Sequence, residues 1–472
     1  MGTLWPELLV AIGDLVVLIA AFSLLLRLEQ ARADPTHLIT WTLALVGAWL
    51  LFAVNQGAYR GTLLRQPLRS AYVASKAMVI AGAVFYLLPL VGGPVEARTS
   101  HVGLVLSLGA ALFGWRLLAT HLVPSTLSSQ ELVVVGAGWA GQALVEAIAR
   151  RPRAGLRVVA FVDDSLVARR RHIRGIPLHR VAELGRLVQE CGGRPRVVLA
   201  NTGHAPSTVV NQLTALAQSG VEIVNMWSLY EEVTGQVPIR HLGHAPWAVL
   251  PRPNHDLLYR LGKRALDLVL ATLGLLVLVI LLPVLGPVLA RQTGGSVFFE
   301  QWRVGWRGRP LRVIKLRTLP VHRPAPIDWR ERKAANRASR LADFVRTSGL
   351  DELPQCWNVL RGEMSIVGPR PYMLDEAAAL DSQLPFFACR TLVRPGLTGW
   401  AQTNYGYGLS LADEVEKLQY DLYYVGHQST YLDLLVILRT LGIILRRRPA
   451  SAVSLAAVPP SEGSPTAALR AS

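Results

Sequence analysis

The pattern of apolar and polar positions changes character along the chain. In the first quarter, four apolar stretches occupy residues 8–26, 38–54, 73–90 and 102–122, each near the ~20 residues a helix needs to span hydrocarbon. They predict four transmembrane helices within 1–123. The loop between the second and third stretches carries Arg60, Arg65 and Arg69, with Lys76 at the start of the third stretch, whereas the other two loops mix basic with acidic residues. Positive loops stay on the cytoplasmic side, so four crossings put the N-terminus and everything after Leu122 in the cytoplasm. Trp5, Pro6 and Glu7 open the chain in place of a basic stretch, and no small-residue cleavage site follows; the first run reads as a retained anchor. Asp14 within it reads as a carboxylate near the helix end reaching interfacial water, with a functional intramembrane charge as the alternative.

After a linker at Pro124-Ser125 the pattern predicts an α/β domain over 124–250. Residues 131–135, Glu131 followed by four apolar residues, read as a buried strand that runs into Gly136-Ala137-Gly138-Trp139-Ala140-Gly141 and a helical pattern through Ala149; a second strand, 157–162, ends at Asp163-Asp164. This is the layout of a Rossmann first unit, with glycines for a tight turn and an acidic residue some twenty positions on for a ribose. Gly136, Gly138, Gly141 and Asp163 are therefore candidates for a nucleotide site. The equal alternative is a Rossmann-like turn whose glycines serve the backbone alone. Segments 196–201 and 221–227 continue the alternation.

A fifth apolar run, 266–289, contains Pro283 and Pro287 and is flanked by Lys263 and Arg264 before it and Arg291, Arg303, Arg307, Arg309 and Arg312 after it. Both flanks have cytoplasmic character, so a re-entrant membrane helix over 265–290, broken at Pro283, is expected in place of a fifth crossing. The tail over 449–472, rich in Ala, Pro and Ser, reads as disordered.

Composition agrees with a bilayer: 51% of the 472 residues are apolar and only 17% are charged, and mean hydropathy is +0.32, unusual for a soluble chain. The net charge of +17 lies beside apolar segments without the interleaved aromatics of a nucleic-acid groove. Anionic lipids and phosphorylated substrates are the expected partners, and nucleic acid is not. Cys191, Cys356 and Cys389 stand far apart, which predicts neither a disulfide framework nor a zinc site.

The chemistry concentrates between Phe298 and Arg448. Residues 311–317 alternate as a strand with Lys315 and Arg317 on one face, two cations suited to a diphosphate or, read alone, a solvated edge. Then comes Arg346-Thr347-Ser348-Gly349-Leu350-Asp351-Glu352-Leu353-Pro354-Gln355-Cys356-Trp357-Asn358. Here Asp351 is the expected N-cap, with Leu353, Trp357 and Leu360 on the buried face and Asp351, Gln355 and Asn358 on the other. An ionised Asp351 among cations suits a nucleophile toward phosphorus, and Glu352 suits Mg²⁺; an ordinary helix cap is the plain alternative. Arg370, between Pro369 and Pro371, has the rigidity of a phosphate clamp.

Over 259–447 the motifs occur in order: Lys263-Arg264 with Asp267; Gln301, Arg303 and Gly305; Lys315 and Arg317; Asp351-Glu352-Leu353-Pro354-Gln355 and Asn358; Gly368 to Pro371; Pro395 to Gln402; and Tyr420-Asp421-Leu422-Tyr423-Tyr424. This order resembles the bacterial sugar transferase family, polyprenyl-phosphate hexose-1-phosphate transferases, in its long form. The resemblance implies a monotopic α+β catalytic domain over 259–448 and an inner-membrane enzyme with that domain on the cytoplasmic face. It implies transfer of a sugar-1-phosphate from a UDP-sugar to undecaprenyl phosphate through a phosphosugar on Asp351, with release of UMP, as the first membrane step of exopolysaccharide or O-antigen synthesis. Glu352 would bind Mg²⁺; Lys315, Arg317, Arg346 and Arg370 would hold phosphates, with Gln355 and Asn358 beside them. A homodimer is suggested by the resemblance alone. The main rival is a membrane-anchored NAD-dependent nucleotide-sugar dehydratase or epimerase, for which Tyr259 and Lys263 have the spacing of a catalytic pair; a third reading is a nucleotide-sensing scaffold.

Overall fold

The computed structural model describes residues 5–29, 35–59, 66–87, 95–122, 130–152, 155–167, 171–191, 195–200, 206–239, 251–321, 339–406, 408 and 410–445. Arg60, Arg65, the linker at Pro124-Ser125 and the expected tail over 449–472 lie outside them. The chain divides into two compact units, Met1–Leu229 and Tyr230–Ser472.

The first unit opens with four helices, α1 (Trp5–Glu29), α2 (Pro35–Asn55), α3 (Pro67–Leu87) and α4 (Val95–Leu122). Each is apolar through most of its length. They share one core, Leu18 of α1 with Leu45 and Trp49 of α2, Ala77, Met78 and Ala81 of α3, and Leu108 and Leu112 of α4; the alanines let backbones approach closely. Asp14 corrects its expected role at interfacial water. It is fully buried and ion-paired through both oxygens with Arg116 of α4, while Tyr59 OH donates to Oδ2 at 3.0 Å. Arg116 also donates to Ala58 O at 2.9 Å and Ser70 Oγ at 3.1 Å. A carboxylate well inside a helix reaches a partner here because α4 supplies a guanidinium at the same depth.

The rest of this unit is an α/β sheet in the order β3-β4-β2-β1-β5-β6, built from β1 (Gln130–Val135), β2 (Leu156–Val162), β3 (His172–Ile173), β4 (Ile176–His179), β5 (Arg196–Leu199) and β6 (Ile223–Asn225). β1 runs parallel to β2 and β5, and β6 parallel to β5, as the βαβ alternation predicts. β3 and β4 add an antiparallel hairpin that the sequence pattern misses. Its turn, Arg174 and Gly175, has φ of 52° and 80°, the double positive φ of a tight hairpin. Helices α5 (Trp139–Ala149), α6 (Leu184–Glu190) and α7 (Ser207–Gln218) cover the sheet, and α8 (Met226–Thr234) carries the chain across the boundary between units.

The second unit starts from α9 (Leu257–Thr293), whose first turn is capped by Asp256 accepting from Leu258 N and whose end is Gly294 at φ 67°. Pro283 was expected to break this helix, yet helical backbone continues through Pro283 and Pro287. Each proline removes one donor and crowds the carbonyl four residues back, which bends a helix without having to end it. Among the described residues α9 is the helix long and apolar enough to cross a membrane. The antiparallel pair β7 (Phe298–Val304) and β8 (Pro310–Leu316) follows. Next come α10 (Arg340–Thr347), α11 (Cys356–Leu360), β9 (Ser365–Val367), α12 (Leu374–Asp381), β10 (Gly396–Thr398), α13 (Trp400–Asn404), α14 (Leu411–Gly426) and α15 (Thr430–Leu445). One core joins Ala271 of α9, Val313 of β8, Val359 of α11, Val367 of β9, Trp400, Tyr424 and Val436. A second core, which includes Val237, Ile239, Phe387 and Leu422, ties residues just after α8 to this unit.

Candidate active site

The acidic pair sits on a short, tight turn. α10 begins at Ser339, whose Oγ accepts from Ala342 N, and Gly349, at φ 74°, redirects the chain into a 3₁₀ segment, Leu350–Gln355, that leads into α11. Only glycine adopts that φ at little cost. Gly349, and not Asp351, is therefore the N-cap, which corrects the expected cap. Three residues per turn in place of 3.6 also rotate Gln355 off the line through Asp351. Gln355 is 3% and Asn358 2% exposed, while Trp357, expected inside, is 50% exposed. The polar side chains thus face inward. Asn358 Nδ2 donates to Arg312 O at 2.9 Å and Glu363 Oε2 at 2.8 Å; Gln355 Nε2 and Asn358 Oδ1 are buried with no hydrogen-bond partner among the described residues.

Lys315 reaches the pair from β8. Leu311 and Val313 share its strand face and are buried, so the period of two turns Lys315 inward, and its Nζ lies 2.5 Å from Glu352 Oε1. Arg370 NH2 approaches the same oxygen at 3.3 Å. Arg346, exposed on α10, adds positive charge that acts on Asp351. Arg317 behaves differently, because its guanidinium goes to Ser296 O at 3.0 Å and Ser296 Oγ at 3.2 Å and lies 5.4 Å from the Phe299 ring. The expected side-by-side cations are therefore split: Lys315 joins the acidic pair and Arg317 fastens the segment after α9. Arg303, which the sequence marks only within a motif, lies beside Arg370. It donates to Pro371 O at 2.6 Å and Gln301 Oε1 at 2.7 Å. Its signal in the sequence is the alternation of β7, which sets Gln301 and Arg303 on one face.

The electrostatics distinguish the two carboxylates. Burial pushes the Asp351 carboxyl up to about 6, with a further push from Glu352 and an opposing pull from Lys315 and Arg346. Burial also opposes ionisation of Glu352, yet the Arg370 and Lys315 cations outweigh it and hold that carboxyl below its usual range. Burial and the neighbouring Arg370 both hold the Arg303 guanidinium below its usual value. Such crowding of cations around two carboxylates, one poised near neutrality and one firmly ionised, suits an anionic substrate and a carboxylate nucleophile.

In the first unit the glycine-rich turn divides by task. Gly136 has φ 103°, and a Cβ on Gly141 would lie 3.2 Å from the Phe161 ring, so these two serve the turn and the helix–strand contact. Around Gly138 a Cβ would meet nothing within 4 Å. Asp163 Oδ2 accepts from Ala137 N at 2.9 Å, and Oδ1 accepts from Ser165 N at 3.0 Å. The acid expected at a ribose therefore pins the turn itself.

Tyr259 and Lys263 are likewise committed. Tyr259 OH donates to Asp433 Oδ2 at 3.0 Å, and Lys263 Nζ bonds Val367 O at 3.0 Å, Tyr424 OH at 3.1 Å and Asp433 Oδ2 at 3.2 Å. They bolt α9 to β9 and α15, which removes the basis of the dehydratase reading.

Residues 258–447 match the model of a family described as bacterial sugar transferase. The chain is 30% identical over 356 residues to the UDP-glucose:undecaprenyl-phosphate glucose-1-phosphate transferase of Escherichia coli (strain K12), covering 72% of each chain. It is 34% identical over 202 residues to a transferase of the same name from Caulobacter vibrioides, 42% of this chain and 74% of that one. It is 31% identical over 234 residues to the UDP-N-acetylgalactosamine-undecaprenyl-phosphate N-acetylgalactosaminephosphotransferase of Aeromonas hydrophila, 49% of this chain and about half, 54%, of that one. The chain belongs to the bacterial sugar transferase family.

Proposed function

We propose that this enzyme transfers a sugar-1-phosphate from a UDP-sugar to undecaprenyl phosphate, as the first membrane step of exopolysaccharide or O-antigen synthesis. The observation that carries the reading is the Asp351-Glu352 turn gripped by Lys315 and Arg370, in a chain whose relatives bear that activity in their names. Asp351 attacks the phosphorus that bears the sugar. The bond from that phosphorus to the bridging oxygen breaks, UMP leaves with the electron pair, and the phosphosugar stays on the carboxylate. An oxygen of undecaprenyl phosphate then attacks the same phosphorus and expels Asp351, giving the polyprenyl-diphosphate sugar. Lys315, Arg346, Arg370 and Arg303 bind and orient the diphosphate, and the unpartnered amide atoms of Gln355 and Asn358 favour a polar group of the substrate beside them.

Glu352 is assigned to Mg²⁺. This cation is commonly held by one or two carboxylates with phosphate oxygens and water in its other positions, so adjacent carboxylates fit it even though no group of three or more His, Cys, Asp or Glu gathers among the described residues. Bound there, it would neutralise diphosphate charge.

The membrane arrangement follows from α9. A straight helix of its 37 residues would be about 55 Å long, well beyond one hydrocarbon layer. Val269, Leu273, Leu276, Val279, Ile280 and Val284 are exposed along it, as a lipid-facing surface requires. Its two ends are fastened to the same unit: Arg264 donates to Val359 O at 2.7 Å, and Thr293 O accepts from Val321 N at 3.0 Å. These features support a helix that enters and returns on the cytoplasmic face of the inner membrane, bent at Pro283 and Pro287, in place of a crossing. The four N-terminal helices are assigned as membrane spans on the apolar stretches of their sequence, although among the described residues only α9 has the length and apolarity of a crossing helix.

The assay is UMP release from the purified full chain with Mg²⁺, undecaprenyl phosphate and a panel of UDP-sugars. Wild type releases UMP, and Asp351→Asn loses about 10³-fold or more. UMP released by Asp351→Asn at the wild-type rate would reject Asp351 as nucleophile, and an altered sugar without UMP would reject the transferase.

A further inference from the structure

The turn that carries Arg370 is held from behind by a buried ionic network that the chemistry above does not use. Arg390, in the 3₁₀ segment Phe387–Leu392, is 6% exposed. Its NH2 donates to the main-chain oxygen of Arg370 at 3.1 Å and is ion-paired with Asp421 of α14, itself 1% exposed. The guanidinium lies 4.1 Å from the centre of the Tyr372 ring and 5.0 Å from that of Phe387. Tyr372 OH in turn donates to Glu414, whose other oxygen accepts from Lys417 at 2.6 Å. A small cavity of about 30 Å³ borders Arg370, Tyr372, Phe387 and Arg390, beside the edge-to-face contact of the Tyr372 and Phe387 rings. A buried ion pair is a weak source of stability, since well-packed apolar residues often replace it without loss. What apolar residues cannot do is grip one carbonyl oxygen of a turn whose side chain points at the acidic pair.

We propose that Arg390 and Asp421 are positioning residues for the transfer, holding the Arg370 backbone so that its guanidinium meets the donor diphosphate. This rests on the phosphate-binding role given to Arg370 above. Arg390→Lys keeps a charge opposite Asp421 but loses the planar guanidinium that lies over the Tyr372 and Phe387 rings and holds its NH2 between the two acceptors; Asp421→Asn keeps the shape and removes the charge. In the full chain each raises KM for the UDP-sugar about tenfold, a loss equivalent to one decade in affinity, with a smaller change in kcat. In an Arg370→Ala background the same substitutions add less than about twofold, because the group they position is gone. Multiplicative losses in the double variants, wild-type KM in both single variants, or failure of both single variants to fold would each overturn the positioning role. If Arg370→Ala alone leaves KM unchanged while Asp351→Asn abolishes UMP release, the phosphate role of Arg370 falls, and this inference with it, while the transferase reading stands.

Discussion

Asp351 is asked to be a nucleophile in a place that resists its charge. Its carboxyl, pushed up to about 6 by burial and by Glu352, must be ionised to attack phosphorus, so UMP release should fall about tenfold per pH unit below 6. Arg346 opposes the rise from the solvent side. Arg346→Gln should therefore move the acid limb of the pH–rate profile upward by about 0.3–0.5 unit, a modest step because the charge is exposed. An unmoved or lowered limb counts against Asp351 as the titrating group. The same shift has a stability consequence. A carboxyl whose value is raised in the folded chain binds its proton more tightly there than when unfolded, so its contribution is fully present below about pH 4 and is lost as pH rises through about 6. At pH 8 Asp351→Asn should unfold later than wild type, by on the order of 1–3 kcal/mol, and denaturant titration at pH 8 and pH 4 reads the difference, which should shrink at the lower pH.

At the scale of elements, α9 is tied down at its first turns. Lys263 is the cation paired with the 1%-exposed Asp433, and Asp267 of the same helix accepts from Ile366 N at 2.9 Å and Ser365 Oγ at 3.0 Å. These bonds fix β9, and β9 runs directly into the turn of Arg370. Lys263→Met should cost about 3–5 kcal/mol by leaving a buried carboxylate without its cation, seen as a lower thermal midpoint; an unchanged midpoint would mean that Tyr259 and Tyr424 suffice for Asp433. The sequence makes part of this element legible, since the apolar run 266–289 lies within α9, while the expected break at Pro283 is absent and the helix begins earlier, at Leu257. It cannot say what Lys263 holds, because Asp433 lies 170 positions away and no local pattern encodes such a partner. For the same reason Tyr259 and Lys263 read as a catalytic pair. The acidic turn is legible as a cluster of acids flanked by cations and misread in geometry: Gly349 and Pro354 both signal a departure from regular helix, and the 3₁₀ segment they produce turns Gln355 and Asn358 inward. The β3–β4 hairpin escapes because strands of two and four residues are too short to show a period.

At the scale of the molecule, the groups assigned to the reaction, from Arg303 and Lys315 to Asp351, Glu352 and Arg370, belong to the unit Tyr230–Ser472, while the helical bundle and the six-stranded sheet belong to Met1–Leu229. The Caulobacter relative supports such a division: 202 matched residues make up 74% of it, so it is about 270 residues long, too short to hold both units at the size they have here. Chemistry and N-terminal stability should therefore separate. Arg116 is the natural place to test this, because it joins α1, α3 and α4 through Asp14, Ser70 and the Ala58 carbonyl. Arg116→Met leaves Asp14 buried without its cation, at about 3–5 kcal/mol, and should make the first unit sensitive to proteolysis at temperatures the wild type withstands. Below that temperature UMP release per folded molecule should stay within about twofold of wild type, since local stability need not be shared between units. A loss of UMP release in step with the N-terminal unfolding would mean that the first unit takes part in the reaction itself, through the substrate lipid or through the seating of α9.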